Sequence, residues 1–302
     1  MSYTSHLDIP YPGASSPRQA LDLYLPTSSP STSRRSANNS ADGSPPPLLV
    51  FIHGGAWRSE SKSDFRFDLV PRMLEHIQLP LAIIEYRLAP TEPHPAQITD
   101  VLSALNLLSD PNLLPCEEEA NAGPKWNRER LILLGHSAGA FMCLQILLDA
   151  PSHATSPRVP TLLRNKIEQV FLVDGIYDLP SLLDEYPSYL SFVSDAFGTS
   201  SASYEVESPA RWSVPSSVLE RRTRFHVLHS KGDDLLSLRQ PDFIHERLQA
   251  AFADAGPQSA SPTVHVDYDA LQGAHYDVVR SKVEHLAHYV ARVTLGTTVR
   301  EN

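Results

Sequence analysis

Four uninterrupted apolar runs, at residues 48–52, 81–84, 131–134 and 170–173, constrain this chain more than any other feature of its sequence. A strand with one wet face alternates apolar and polar residues; these runs have no polar position to turn outward, so both faces of each strand must be covered. Stretches of helical spacing lie between them at 65–78, 96–109 and 138–148. Two more strand-like runs follow at 225–228 and 264–268, with helical patterns at 243–252 and 278–293. Strand and helix in alternation predict an α/β fold, a mostly parallel sheet with helices on both faces. Residues 20–25 alternate instead, and are expected to form an antiparallel edge strand.

The 302 residues are expected to form one domain, residues 1–302, with two insertions. Residues 26–47 are dominated by Ser, Pro, Asn and Thr and are expected to be a long disordered loop. Residues 180–214 read as broken helices, a cap-like insertion over the carboxyl ends of the strands, where such sheets bind ligands. A net charge of −10 offers no basic field to a phosphate backbone, so a small-molecule substrate is expected and nucleic acid is not. No apolar run approaches the roughly 18 residues of a membrane span, and the start MSYTSHLDIP lacks a basic, hydrophobic leader. The expectation is a cytoplasmic protein without membrane contact; a homodimer is an open option. The two cysteines, Cys116 in a polar loop and Cys143 in an apolar helical stretch, are expected to be free thiols. With no His-Glu-x-x-His, no paired-cysteine spacing and no phosphate-cradling glycine loop, neither a metal nor a cofactor is expected.

Gly135-His136-Ser137-Ala138-Gly139 directly follows one buried run and opens a helical stretch. A nucleophilic serine on so sharp a turn needs small flanking residues, which Gly135 and Gly139 supply. A serine hydroxyl is a poor nucleophile, so a histidine must take its proton and an acid must orient that ring, in the chain order Ser, acid, His. The acid is expected in the turn after the run 225–228, where Asp233 and Asp234 compete. Asp233, straight after the turn glycine, is favoured, leaving Asp234 as a solvated or helix-capping carboxylate. Of the 13 histidines, His275 alone lies between the last strand and the last helix, from where a base can reach back over Ser137. His53-Gly54-Gly55-Ala56-Trp57 ends the run 48–52; the N–H groups of Gly54, Gly55 and Ala56, with that of Ala138, are expected to form an oxyanion hole. His53 is expected to brace that loop by hydrogen bonding.

Together with Asp174-Gly175-Ile176-Tyr177-Asp178-Leu179, these segments resemble kynurenine formamidases, especially the fungal form, over most of the chain beyond the Ser/Pro-rich insertion. The resemblance implies an α/β-hydrolase fold and deformylation of N-formyl-L-kynurenine to L-kynurenine and formate in tryptophan breakdown. It carries Ser137, Asp233 and His275 into a catalytic triad and places Gly54, Gly55 and Trp57 in a signature loop. Trp57 itself is expected either to stack on the substrate's aryl ring or to serve as a packing wedge, as an aromatic beside a glycine loop often does. The segments also look like the hormone-sensitive-lipase group of esterases. That group has a third glycine where this chain has Ala56, and Ala56-Trp57 favours the formamidases. A binding protein on an inactive hydrolase scaffold is the other alternative; such a protein would usually have lost one of the three triad candidates retained here.

Overall fold

In the computed structural model, which describes residues 2–27, 44–113, 125–255 and 263–296, the apolar runs become interior strands of one eight-stranded sheet. The strands are β1 (Tyr3–Pro10), β2 (Ala20–Pro26), β3 (Leu48–Ile52), β4 (Leu81–Ile84), β5 (Leu131–His136), β6 (Ile167–Val173), β7 (Arg224–Leu228) and β8 (Val264–Asp267). Their spatial order is β1-β2-β4-β3-β5-β6-β7-β8; β2 pairs antiparallel with both β1 and β4, and every other pairing is parallel. The chain steps from β3 to β4 on one side and then to β5 on the other. The loops leaving β3 and β5 therefore diverge at a topological switch point, the crevice where open α/β sheets bind ligands.

Helices α1 (Leu69–Ile77), α2 (Ala96–Ser109), α3 (Ala138–Leu147) and α4 (Thr161–Arg164) alternate with the strands. The insertion contributes α5 (Leu179–Glu185), α6 (Leu190–Phe197) and α7 (Ser201–Glu207), and α8 (Ser216–Arg221), α9 (Arg239–Asp254) and α10 (Val283–Leu295) follow. Strand β3 explains why its sequence has no polar position: Leu48, Val50 and Ile52 enter one core cluster, and Leu49 and Phe51 the other, on the opposite face. Helix α3 is buried along its whole length, so it is apolar all round and shows no stripe. Cys143 lies in it as a buried free thiol whose proton affinity burial raises. No helix among the described residues is long and apolar enough to cross a membrane.

Residues 20–25 are not the sheet edge. Strand β1 pairs outside β2 and takes that position, while Leu21 and Leu23 are buried. Strand β1 is largely exposed, so it carries no apolar signal, and its register breaks between His6 and Ile9, a kind of irregularity that blunts edges. Helix α1 starts at Leu69 because a 3-10 turn, Lys62–Phe65, comes first; α10 is likewise preceded by the turn Asp277–Val279. Most of the Ser/Pro-rich segment, Cys116 and residues 256–262 lie outside the described residues.

One buried carboxylate ties the helical insertion to the loops that follow β4 and α3. Glu207 accepts hydrogen bonds from Thr155 Oγ1 at 2.7 Å and Ser156 Oγ at 2.8 Å, and lies 3.1 Å from His94 Nε2. Burial alone would raise its pKa, but the bonds from His94 and Thr155 outweigh this and pull it down to about 2. A carboxyl whose folded pKa is depressed stabilises the fold above its unfolded pKa, and that contribution fades as pH falls toward the folded value. Glu207→Gln is therefore expected to lower the unfolding free energy by about 3 kcal/mol at neutral pH. The difference from wild type should shrink as pH falls from about 4.5 toward 2, measured by urea unfolding at a series of pH values.

Candidate active site

Ser137 caps β5 and opens α3 with φ 54° and ψ −119°, a conformation that non-glycine residues adopt only under constraint. The constraint is visible in the packing. A Cβ on Gly139 would meet Ile52 O at 2.0 Å, and one on Gly135 would meet Gly139 O at 2.5 Å. The Ser137 N–H donates to Val173 O at 2.9 Å, tying the turn to the end of β6. Ser137 is buried, 5% exposed.

The two competing aspartates separate by what they bond. Asp233 Oδ2 accepts from His275 Nδ1 at 2.8 Å, while Oδ1 accepts the N–H groups of Leu235 and Leu236 at 2.8 and 2.9 Å. Burial pushes this carboxyl up, but the hydrogen bond and charge of His275 and the two backbone donors prevail and hold it below the usual range. It is ionised at neutral pH. Because Nδ1–H is committed to Asp233, the lone pair of the neutral ring sits on Nε2, as a general base requires. Asp234 is neither a helix cap nor merely solvated: its Oδ1 accepts the His275 backbone N–H at 3.1 Å. Adjacent carboxylates thus hold the ring and the backbone of one histidine.

His136, next to Ser137 in the chain, holds that histidine. Its Nε2–H donates to His275 O at 2.9 Å and the two rings lie 4.7 Å apart. Burial, with the neighbouring His275, keeps the His136 pKa well below the ordinary value, so the ring is neutral. No hydrogen bond joins the Ser137 hydroxyl to the His275 ring among the described residues. Such catalytic bonds are commonly long without substrate and tighten when it binds.

The loop after β3 lies against this turn: a Cβ on Gly54 would meet Ser137 Cβ at 2.9 Å. Gly55, Ala56 and Trp57 all have positive φ, and among the described residues the N–H groups of Gly54, Gly55 and Ala56 donate no hydrogen bond within the protein. The Ala138 N–H lies in the first turn of α3, where no intrahelical acceptor exists. The Tyr86 hydroxyl holds the loop from behind by donating to His53 O at 3.0 Å and to Gly54 O. His53 braces it too, with Nε2 3.3 Å from Glu85 and its ring 4.2 Å from that of Tyr86.

Trp57 does not present a stacking face. It is 1% exposed, its ring edge-on to Phe141 at 5.1 Å and to Phe197 of α6 at 5.0 Å. Positive φ at Trp57 turns the ring inward, where it seats the helical insertion on the loop. The aromatic that does stand partly open beside the imidazole is Tyr276, 38% exposed with its ring 5.2 Å from that of His275.

Among the described residues, three groups of His and carboxylate side chains place donor atoms mutually within 4.8 Å: His76, Glu284 and His288 near the surface, and His136, Asp174, His275 and Asp174, His229, Asp233 inside the site. In the latter two, His275 Nδ1 and His136 Nε2 are already engaged by protein acceptors, as is His229 Nε2 by Leu236 O at 3.2 Å.

A kynurenine formamidase of Eremothecium gossypii is 35% identical to this chain over 218 residues, 68% of this chain and 80% of that protein. One from Saccharomyces cerevisiae is 31% identical over 213 residues, covering 67% and 75%. Residues 49–240 match the family model described as alpha/beta hydrolase fold. The chain belongs to the kynurenine formamidase family. Within that family it is an α/β-hydrolase enzyme, as the resemblance read from the sequence implies. A truncated carbohydrate esterase from gut microbiota superposes with a TM-score of 0.65 at 14% identity, covering 97% of each chain, a likeness of fold alone. For this formamidase-family member, sequence reasoning missed the bonds from His136 and Asp234 to His275, and the nearness of His229 and Asp174 to Asp233. The signal for Asp174 was its place at the head of the segment 174–179, directly after a buried apolar strand.

Proposed function

We propose that the chain hydrolyses N-formyl-L-kynurenine to L-kynurenine and formate, a step of tryptophan catabolism. Ser137 attacks the formyl carbon while His275 Nε2 takes the hydroxyl proton. The N–H groups of Gly54, Gly55, Ala56 and Ala138 receive the oxyanion, the atom on which charge develops. Collapse breaks the C–N bond, and His275 returns its proton to the departing aryl amine, leaving a formyl ester on Ser137. Water, deprotonated by the same ring, then releases formate. Asp233 stays ionised and balances the imidazolium in both half-reactions. Tyr276 is the aromatic surface available to the aryl ring.

The observation that carries this reading is the 2.8 Å bond from His275 Nδ1 to a buried carboxylate whose other oxygen two backbone N–H groups fix. That arrangement leaves the Nε2 lone pair of the neutral ring free for proton transfer. The test is kcat/KM for N-formyl-L-kynurenine against a short-chain aryl ester. Preference for the formamide by at least about tenfold is expected; a preference of that size for the ester would replace this reading with that of an esterase.

A further inference from the structure

Resting on the reading of His275 as the general base, we propose that Asp174 is a second positioning acid for that ring, held in reserve behind Asp233. Asp174 directly follows β6, the neighbour of the nucleophile strand, and is 0% exposed. Its Oδ1 accepts the Ser230 N–H at 2.8 Å; its Oδ2 is buried without a partner. One of its oxygens lies within 4.8 Å of a ring nitrogen of both His136 and His275, and one lies within 4.8 Å of Asp233 and His229. His229 lies between the two acids, with Nδ1 3.7 Å from Asp174 Oδ1 and Nε2 3.5 Å from Asp233 Oδ2. The backbone of Asp174 is also strained, with φ 42°. A half-satisfied buried carboxyl on a strained backbone destabilises the fold, and the tie to the Ser230 N–H uses Oδ1 alone. A use at the imidazole accounts for both.

Two carboxyls this close do not both ionise. Burial, and then the negative charge of Asp233, push the Asp174 carboxyl well above the usual range, against a smaller opposite pull from the Ser230 N–H. In the intact site Asp233 therefore carries the charge and Asp174 its proton. The other titratable groups facing it are His136, His229, His275 and the buried Tyr177, whose own proton affinity is raised by burial and then by Asp174. Removing the charge of Asp233 removes one of the two causes that keep Asp174 neutral. Asp174 then releases its proton to solvent at lower pH and becomes the counter-charge for the imidazolium formed when His275 takes the Ser137 proton.

The test is kcat/KM for N-formyl-L-kynurenine across the neutral pH range in Asp233→Ala, Asp174→Asn and the double variant, with thermal unfolding of each. A triad that relies on one acid loses about 10⁴-fold when that acid is removed. Here Asp233→Ala is expected to lose only about 10²-fold, with a rate that rises with pH through an ionisation absent from the double variant, which falls to about 10⁴-fold. Equal rates and profiles for Asp233→Ala and the double variant overturn the proposal. Should the double variant not fold, Asp233→Ala alone decides: a loss of about 10⁴-fold without a new ionisation overturns it equally. Ser137→Ala assayed beside them separates the two levels. If it stays active, the reading of the whole site fails; if it is inactive while Asp233→Ala matches the double variant, only the reserve role of Asp174 fails.

Discussion

Ser137→Ala is expected to lower kcat for N-formyl-L-kynurenine by at least about 10⁴-fold while leaving KM and the melting temperature nearly unchanged. The nucleophile's contribution is realised only in the transition state, so its loss should fall on kcat. Stability should survive because the Ser137 side chain caps no helix end, and the turn is held by its backbone N–H on Val173 O. The replacement also keeps a Cβ in the same space, so the strained turn and the bond between His275 and Asp233 persist. Any activity left would come from the oxyanion loop and from binding. Steady-state kinetics, a thermal melt and a fluorophosphonate label check the prediction together. A variant that retained activity within about tenfold of wild type would remove Ser137 from the reaction, whatever its position in the fold.

The parts of this site that could be read in advance are those whose position depends on local chain geometry. A buried apolar run ending in Gly135-His136-Ser137-Ala138-Gly139 leaves the chain little choice but a sharp turn into a helix. The place of His275 between the last strand and the last helix follows from topology in the same way. What stayed hidden depends on contacts between distant segments. The direction of the Trp57 ring is decided by Phe197, on a helix of the insertion far along the chain. The nearness of Asp174 to His275 depends on the register in which β6 lies beside β5, pairing His136 with Val173, and no pattern within either strand encodes that register. Strand β1 escaped for the opposite reason: it sits at the edge with little buried side-chain surface, so periodicity had nothing to report.

Gly139→Ala separates the two forces that act on the turn, because they predict opposite signs. Gly139 lies in α3, where helix propensity alone would make Ala more stable than Gly by about 1 kcal/mol. Packing opposes this: the new Cβ would stand 2.0 Å from Ile52 O and 2.7 Å from His53 O. Neither oxygen can withdraw cheaply, since Ile52 is fully buried in the parallel ladder with β4 and β5. A loss of more than about 4 kcal/mol, or failure to accumulate as folded protein, is expected. Gly296→Ala is the matched control: its Cβ would meet nothing within 4 Å, and only its left-handed φ of +64° at the end of α10 opposes the change, worth about 1 kcal/mol. Any Gly139→Ala protein that does fold should also lose activity, because separating α3 from the end of β3 moves Gly54 and Gly55 away from Ser137. Chemical denaturation of the two variants beside wild type gives the answer. If Gly139→Ala proved as stable as wild type, the contact between α3 and β3 would be looser than described, and the closeness of the oxyanion loop to the nucleophile would lose its structural cause.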